Sequence, residues 1–213
     1  MLELPADDGT GKPLVQKLAP NTAVMFQLHF LNASDSMVMS HIDLQAYALP
    51  ADSDYTETAT YVTYQYQIAI APGATNVKVS GSCPVPDGAK FWMMSTHAHK
   101  QAVATEVDDA SIPVFTSTDW AHPGDVTYAT PGAFHTFASG MLSWSCTYNN
   151  NAPPPYCNQG GSPGGCSNAN TTVSQGQSAV TDEMCMAAGY YFPATGPTFM
   201  LAAGADNCTP LTR

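Results

Sequence analysis

Short apolar runs, each closed by Pro, Gly, Asn or Asp, follow one another along nearly the whole chain, and amphipathic helical periodicity is almost absent. That punctuation belongs to strands joined by turns, since Pro removes a backbone donor and Gly accepts turn geometry. It predicts strands over residues 23–31, 41–48, 60–70, 76–82, 90–99, 103–108, 134–148, 184–192 and 198–203, with Pro-Gly turns at 72–73, 123–124 and 131–132. Several runs are apolar on both faces, as in Val24-Met25-Phe26, which implies burial of one sheet against another. The expected fold is all-β, an antiparallel, jelly-roll-like β-sandwich. With 213 residues the chain can bury a proper core as one large all-β domain or two small ones. No internal repeat is visible.

Residues 149–177 break the pattern. They are rich in Asn, Pro, Gly and Ser, with Pro153-Pro154-Pro155 and Gly160-Gly161, and are expected to form a long surface loop. Cys157 and Cys166 lie inside this segment and most simply bridge each other.

Charged residues make up only 11% of the chain, yet 44% is hydrophobic, so low charge here does not signal disorder. The formal charge of −11 argues against nucleic acid and anionic membrane surfaces, both of which need a basic footprint. No run approaches the length of a membrane span. Six cysteines, few lysines and the triplets beginning at Asn32, Asn170 and Asn207 fit an oxidising, secreted or periplasmic setting. None of the cysteine spacings is C-x-x-C, which disfavours a zinc ribbon or a thioredoxin-type site.

One stretch carries chemistry. Residues 90–99 read Lys-Phe-Trp-Met-Met-Ser-Thr-His-Ala-His. On a strand, residues two apart share a face with Cα atoms roughly 6.5–7 Å apart, so His97 and His99 point together and can share one metal ion. Imidazole suits copper, zinc, iron and nickel alike. The alternative is a pair of partly exposed histidines at a strand end. Three residues are candidates for a further donor: Met184 in Thr-Asp-Glu-Met-Cys-Met, His135 in Gly-Ala-Phe-His-Thr-Phe, and His122 ahead of Pro123-Gly124. Two imidazoles and a thioether make a soft set that favours copper, whereas three imidazoles read more like zinc. A methionine in a chain with ten of them is ordinarily core packing. Composition does not choose among the three.

Elsewhere the signals are weak. Asp7-Asp8-Gly9 and Asp52-Ser53-Asp54 are short acidic turns of the kind that are usually just solvated. Trp92, Trp120 and Trp144 read as core.

Thr-His-Ala-His at 96–99, Ser-Cys-Thr-Tyr-Asn at 145–149 and Asp-Glu-Met-Cys at 182–185, in that order, resemble the C-terminal catalytic domain of the copper type II, ascorbate-dependent monooxygenases. This is the family of peptidylglycine α-hydroxylating monooxygenase and dopamine β-monooxygenase. Tyr190-Tyr191 and Ser80-Gly81-Ser82-Cys83 fit the same pattern, and the resemblance covers about residues 20 to 210. It implies one copper held by His97, His99 and Met184, ascorbate as electron donor, and disulfides Cys83–Cys208 and Cys146–Cys185. Cys157–Cys166 is then the remaining pair.

The resemblance also implies a second copper, held by three histidines on another sandwich. His29, in Gln27-Leu28-His29-Phe30, falls where one of those ligands would lie, but the adjacent His-His pair that supplies the others is absent. His29 is thus either an orphan ligand or an ordinary strand histidine. The opening Met1-Leu-Glu-Leu-Pro favours a piece of a longer chain over a natural one-copper protein. Residues 1–58 are then the terminal strands of an incomplete first sandwich or an N-terminal extension, and 59–213 the copper-binding sandwich. A missing N-terminal sandwich, or a second copy of the chain, would cover the exposed strands. Monooxygenation takes two electrons per turnover and one Cu(I) supplies one, so copper binding with little hydroxylation is expected. The family acts on peptides and catecholamines. No arginine is placed to read a peptide carboxylate, Arg213 standing at the far end, so the substrate, small molecule or peptide, stays open. A copper carrier without turnover is the alternative, and a secreted sandwich used for adhesion or assembly a third.

Overall fold

A computed structural model describes residues 3–23, 35–39, 41, 43, 45–128, 130, 132–150, 171–179, 181–203 and 208–210. Among these the regular structure is entirely β. The strands are β1 (Leu14–Val15), β2 (Thr56–Glu57), β3 (Ala59–Gln65), β4 (Ala69–Ile70), β5 (Val77–Pro84), β6 (Lys90–Ala98) and β7 (Ala102–Asp109). They continue with β8 (Ile112–Ser117), β9 (Val126–Thr127), β10 (Met141–Tyr148), β11 (Val173–Ser174), β12 (Cys185–Phe192), β13 (Phe199–Ala202) and β14 (Cys208–Pro210). A six-stranded sheet in the order β14-β13-β3-β12-β6-β9 is accompanied by a four-stranded sheet in the order β5-β10-β7-β8. Pairing within them is antiparallel except between β13 and β3, which run parallel. The chain passes from sheet to sheet between β5 and β6 and again between β6 and β7, as a sandwich with crossed connections demands. The all-β, disulfide-bonded sandwich expected from the strand punctuation is the fold observed.

Alternation along the strands builds the core. β12 turns Cys185, Ala187, Gly189 and Tyr191 inward, and β10 turns Leu142, Trp144, Cys146 and Tyr148 toward it. Tyr61 meets Phe91 and Tyr191 edge-on, with ring centroids 5.9 and 6.1 Å away, the arrangement that aromatic quadrupoles prefer. Polar residues on the inner face of β3 are satisfied: Thr63 donates to the Ala187 carbonyl at 3.3 Å, and Gln65 Nε2 to that of Ser80 at 2.9 Å. Gly81 is required where it stands, because a Cβ there would lie 2.5 Å from the Trp144 indole opposite it.

Two disulfides bridge the two sheets. Cys83 of β5 is bonded to Cys208 of β14, and Cys146 of β10 to Cys185 of β12. The second joins facing sheets rather than adjacent strands, so it holds the sandwich closed behind Met184. Cys157 and Cys166 lie outside the described residues.

Several expected strands differ from those observed. In 41–48 the described residues form no strand, and Tyr47 is 92% exposed: apolar alternation there has no partner sheet to bury it. The 60–70 run divides at 66–68, where the Gln65 side chain accepts the Gln67 N–H and β4 leaves to pair with β11. The 134–148 run becomes a strand only at Met141. Before it, the Asp109 carboxylate accepts the Ala138 and Ser139 N–H groups and the Ser139 hydroxyl, which fixes a turn. The 23–31 run lies outside the described residues apart from Ala23. Residues 151–170 of the expected surface loop lie outside the described residues, and at its ends Thr171, Thr172, Ser174 and Gln177 are exposed while two residues point inward. Asn150 and Val173 are buried, and Asn150 Nδ2 donates to the Ile70, Ala71 and Thr171 carbonyls.

The β7–β8 hairpin was unmarked by any turn dipeptide. Its loop residues Ala110 and Ser111 have φ of 50° and 70°, a left-handed pair that L side chains adopt at a cost. Replacing them with Asn-Gly should stabilise the protein by about 1 kcal/mol, or raise the melting temperature by about 2–4 °C. A differential scan checks this; an unchanged or lower midpoint would show that this loop is not strained.

Residues ahead of β3 also touch the sandwich. Leu14 packs with Trp92 and Phe192, β1 pairs with β2, and Thr58 accepts from Trp92 Nε1 at 3.0 Å while donating to the Tyr191 carbonyl.

Candidate metal centre

His97 sits on the outer face of β6, and His99 one residue past its end, where the chain turns into β7 through an Ala102 N–H to His99 carbonyl bond of 3.0 Å. The two rings lie 5.2 Å apart, nearly perpendicular. His99 is 3% exposed, while His97 is open to the solvent. The β6–β12 register pairs Ala98 with Cys185 and His97 with Met186; continued by one residue, it sets Met184 across from His99. His97, His99 and Met184 all line one cavity of about 680 Å³, walled also by Tyr64, Met186, Phe199 and Gln177. Tyr64, Met186 and His97 are lateral neighbours on β3, β12 and β6, so one row of the sheet forms the floor.

The segment that carries Met184 into β12 is held from behind by β10. Tyr148 donates its hydroxyl to the Met184 carbonyl at 2.7 Å, Trp144 Nε1 donates to the Cys185 carbonyl at 3.2 Å, and Cys185 is bonded to Cys146. A thioether is a weak donor with three rotatable bonds above its Cα, so a rigid backbone beneath it matters.

Asp182, Glu183 and Met184 meet His99 in succession. The Asp182 carbonyl lies 3.0 Å from His99 Nδ1. A carbonyl only accepts, so Nδ1 carries the proton and Nε2 keeps its lone pair for a metal. The Glu183 carboxylate, fully buried, accepts the backbone N–H groups of His99 at 3.0 Å and Gln101 at 2.7 Å. Burial pushes its pKa up to about 7, against the pull of those backbone donors and of Lys100. Partial desolvation beside the cavity lowers the His97 pKa, although its outer side faces solvent, and the neighbouring His99 lowers it further, which favours the neutral form. Tyr64 is raised by burial and accepts from Gln175 Nε2 at its hydroxyl.

The other candidates stand apart. His135 pairs with Phe91, toward the opposite end of β6, stacked 5.5 Å from Tyr128 and edge-on to Phe137. His122 is exposed beside Asp119, 3.6 Å away. Of the three residues proposed to join the histidine pair, the structure brings Met184 alone to it. His29 lies outside the described residues. The acidic turns serve the backbone: Asp7 accepts from Gly9, Asp8 from Thr10 and Thr56, and Asp54 pairs with Lys12 at 2.9 Å. Trp92 and Trp144 are buried in the core, and Trp120 packs against it.

The donors present fit a soft ion. Among the described residues no three His, Cys, Asp or Glu side chains converge, so no hard oxygen cage competes with the two nitrogens and one sulfur. Sequence reasoning missed the roles of Tyr64, Trp144, Tyr148, Glu183 and Met186. A Glu held against a strand in a chain so poor in charge was the signal available for one of them. Two disulfides are consistent with an oxidising compartment. Among the described residues no helix is long and apolar enough to cross a membrane. No family model matches this chain, and no curated protein matches it.

Proposed function

We propose that this protein holds one copper ion between His97, His99 and Met184, outside the cytoplasm, as the oxygen-activating centre of a copper type II, ascorbate-dependent monooxygenase. The observation that carries the reading is the meeting of two imidazoles and a thioether at one open cavity. Copper there would supply one-electron chemistry toward dioxygen, with ascorbate as the reductant. The chain's own residues do the rest. Asp182 fixes the His99 tautomer. Tyr148 and the Cys146–Cys185 bridge fix the height of Met184. Met186, Phe199 and Tyr64 present an apolar wall against which a C–H bond can rest with water displaced. Among the described residues no Lys or Arg lines that cavity, so no permanent positive charge would pair with a substrate carboxylate, which disfavours a glycine-extended peptide. The second electron has to come from elsewhere, from the reductant or from a further copper site.

Met186, a second thioether in the same cavity, favours a different reading, a copper carrier that binds Cu(I) and does not turn over. Titration should show one tight copper per chain, and no such binding would end both readings. With ascorbate and air, a monooxygenase centre should consume oxygen faster than free copper at equal concentration, whereas a carrier should suppress that consumption. Coupled hydroxylation should stay low for the chain alone; substantial product from it would show that ascorbate delivers the second electron directly and that no further copper site is needed.

A further inference from the structure

We infer that Glu183 is the positioning residue of this centre, setting His99 and Met184 relative to one another through its buried carboxylate. The inference rests on the copper reading above for its functional meaning, though the geometry stands without it. Glu183 immediately precedes Met184, and its own backbone is locked into the adjoining segment: its N–H reaches the Ser174 carbonyl at 2.9 Å, and its carbonyl accepts from Gly176 at 3.1 Å. Its side chain crosses to the β6–β7 turn, 84 residues away in sequence, where one oxygen accepts the His99 N–H at 3.0 Å. The other oxygen accepts the Gln101 N–H at 2.7 Å, 82 residues away.

That turn has backbone ties of its own as well. His99 and Ala102 close it with one bond, and the Gln101 carbonyl accepts from Asn149. Without the carboxylate, two buried N–H groups would lose their acceptor, and the turn would have to move to find water. His99 would then carry its ring away from the Asp182 carbonyl that sets its tautomer. One side chain thus governs the orientation of a nitrogen donor and its distance from the sulfur donor on the next residue. A buried carboxyl group is costly, and it is tolerated when both of its oxygens are hydrogen-bonded, as they are here.

The test uses Glu183→Gln and Glu183→Asp in the whole chain. The amide keeps one acceptor and turns an NH2 toward the other backbone N–H. The shorter carboxylate keeps the charge and loses the reach. Asp109→Asn, at the distant 138–139 turn, serves as a comparison that loses stability without touching the site. Two quantities are read on folded protein: the His99 tautomer by nitrogen NMR without metal, and the affinity for copper alone against a competing chelator. Wild type and Asp109→Asn should show His99 protonated at Nδ1. Both Glu183 variants should show mixed tautomers and bind copper about 10- to 100-fold more weakly. A Glu183→Asp protein that behaves as wild type would overturn the inference, because charge without reach would then suffice. So would an unchanged tautomer in either folded variant. Should wild type itself bind no copper, the copper reading falls while the NMR comparison still decides the positioning role.

Discussion

His99→Ala should weaken copper binding by more than about a hundredfold, a larger loss than removal of an outer-shell partner normally causes. His99 is the better-held imidazole of the pair. It is buried, its Nδ1 proton is committed to the Asp182 carbonyl, and its backbone is tied to Glu183. Little ordering remains to be done when the ion arrives, so this ring contributes most to affinity. His97→Ala should also lose binding, by less, since its ring is open to solvent and, among the described residues, lacks an anchoring bond like that of His99 Nδ1. Met184→Leu keeps the volume and removes the sulfur, so Cu(I) affinity should fall while Cu(II) affinity changes little, a thioether being the softer donor. His122→Ala, at an exposed turn, should alter neither. Competitive titration in both oxidation states reads all four. A His99→Ala protein that binds within a few-fold of wild type would show that the ion, if bound, sits elsewhere.

Replacing Cys146 and Cys185 with alanine should cost about 4 kcal/mol. The bridge closes a loop of 39 residues, and that is the chain-entropy value for such a loop, within the usual 2–5 kcal/mol range. For a chain of this size the loss lowers the melting temperature by on the order of 10 °C. Cys83–Cys208 closes 125 residues, and its removal should cost about as much or slightly more. The two should part company in what else they change. Cys185 adjoins Met184 and its bridge ties that segment to β10 from the core side, whereas Cys208 sits on the edge strand β14. Loss of the first should therefore reduce Cu(I) affinity in protein that is still folded, and loss of the second should not. Urea unfolding gives the stabilities and chelator competition the affinities. Equal copper affinity in both folded variants would refute the coupling between the bridge and the thioether.

Legibility varied along the chain for physical reasons. The 90–99 strand was readable because a run of apolar residues between turn signals closely matches β6, and period-two geometry then aims His97 and His99 together. β8 was unreadable because its hairpin is turned by Ala110-Ser111, a pair without the Gly or Asn that left-handed turn positions favour, with β7 and β8 paired on either side of it. The 41–48 run misled because alternation describes what a strand would bury and cannot supply the sheet that buries it. Glu183 was visible only as a letter in Asp-Glu-Met-Cys, since nothing local tells an inward carboxylate from an outward one.

From the order of its residues alone, this chain is determined to be strand-rich, acidic, cysteine-bearing and equipped with one close histidine pair. Those properties follow from local rules: alternation, turn chemistry, charge count and two-residue spacing. Which of the three candidates lines the cavity beside the pair, which way Glu183 faces, and that both disulfides cross between sheets depend on tertiary structure. The contacts involved join residues from 39 to 125 positions apart. They depend on the register of β12 between β3 and β6 and on which sheet each strand joins, and those are set by burial of the whole core at once.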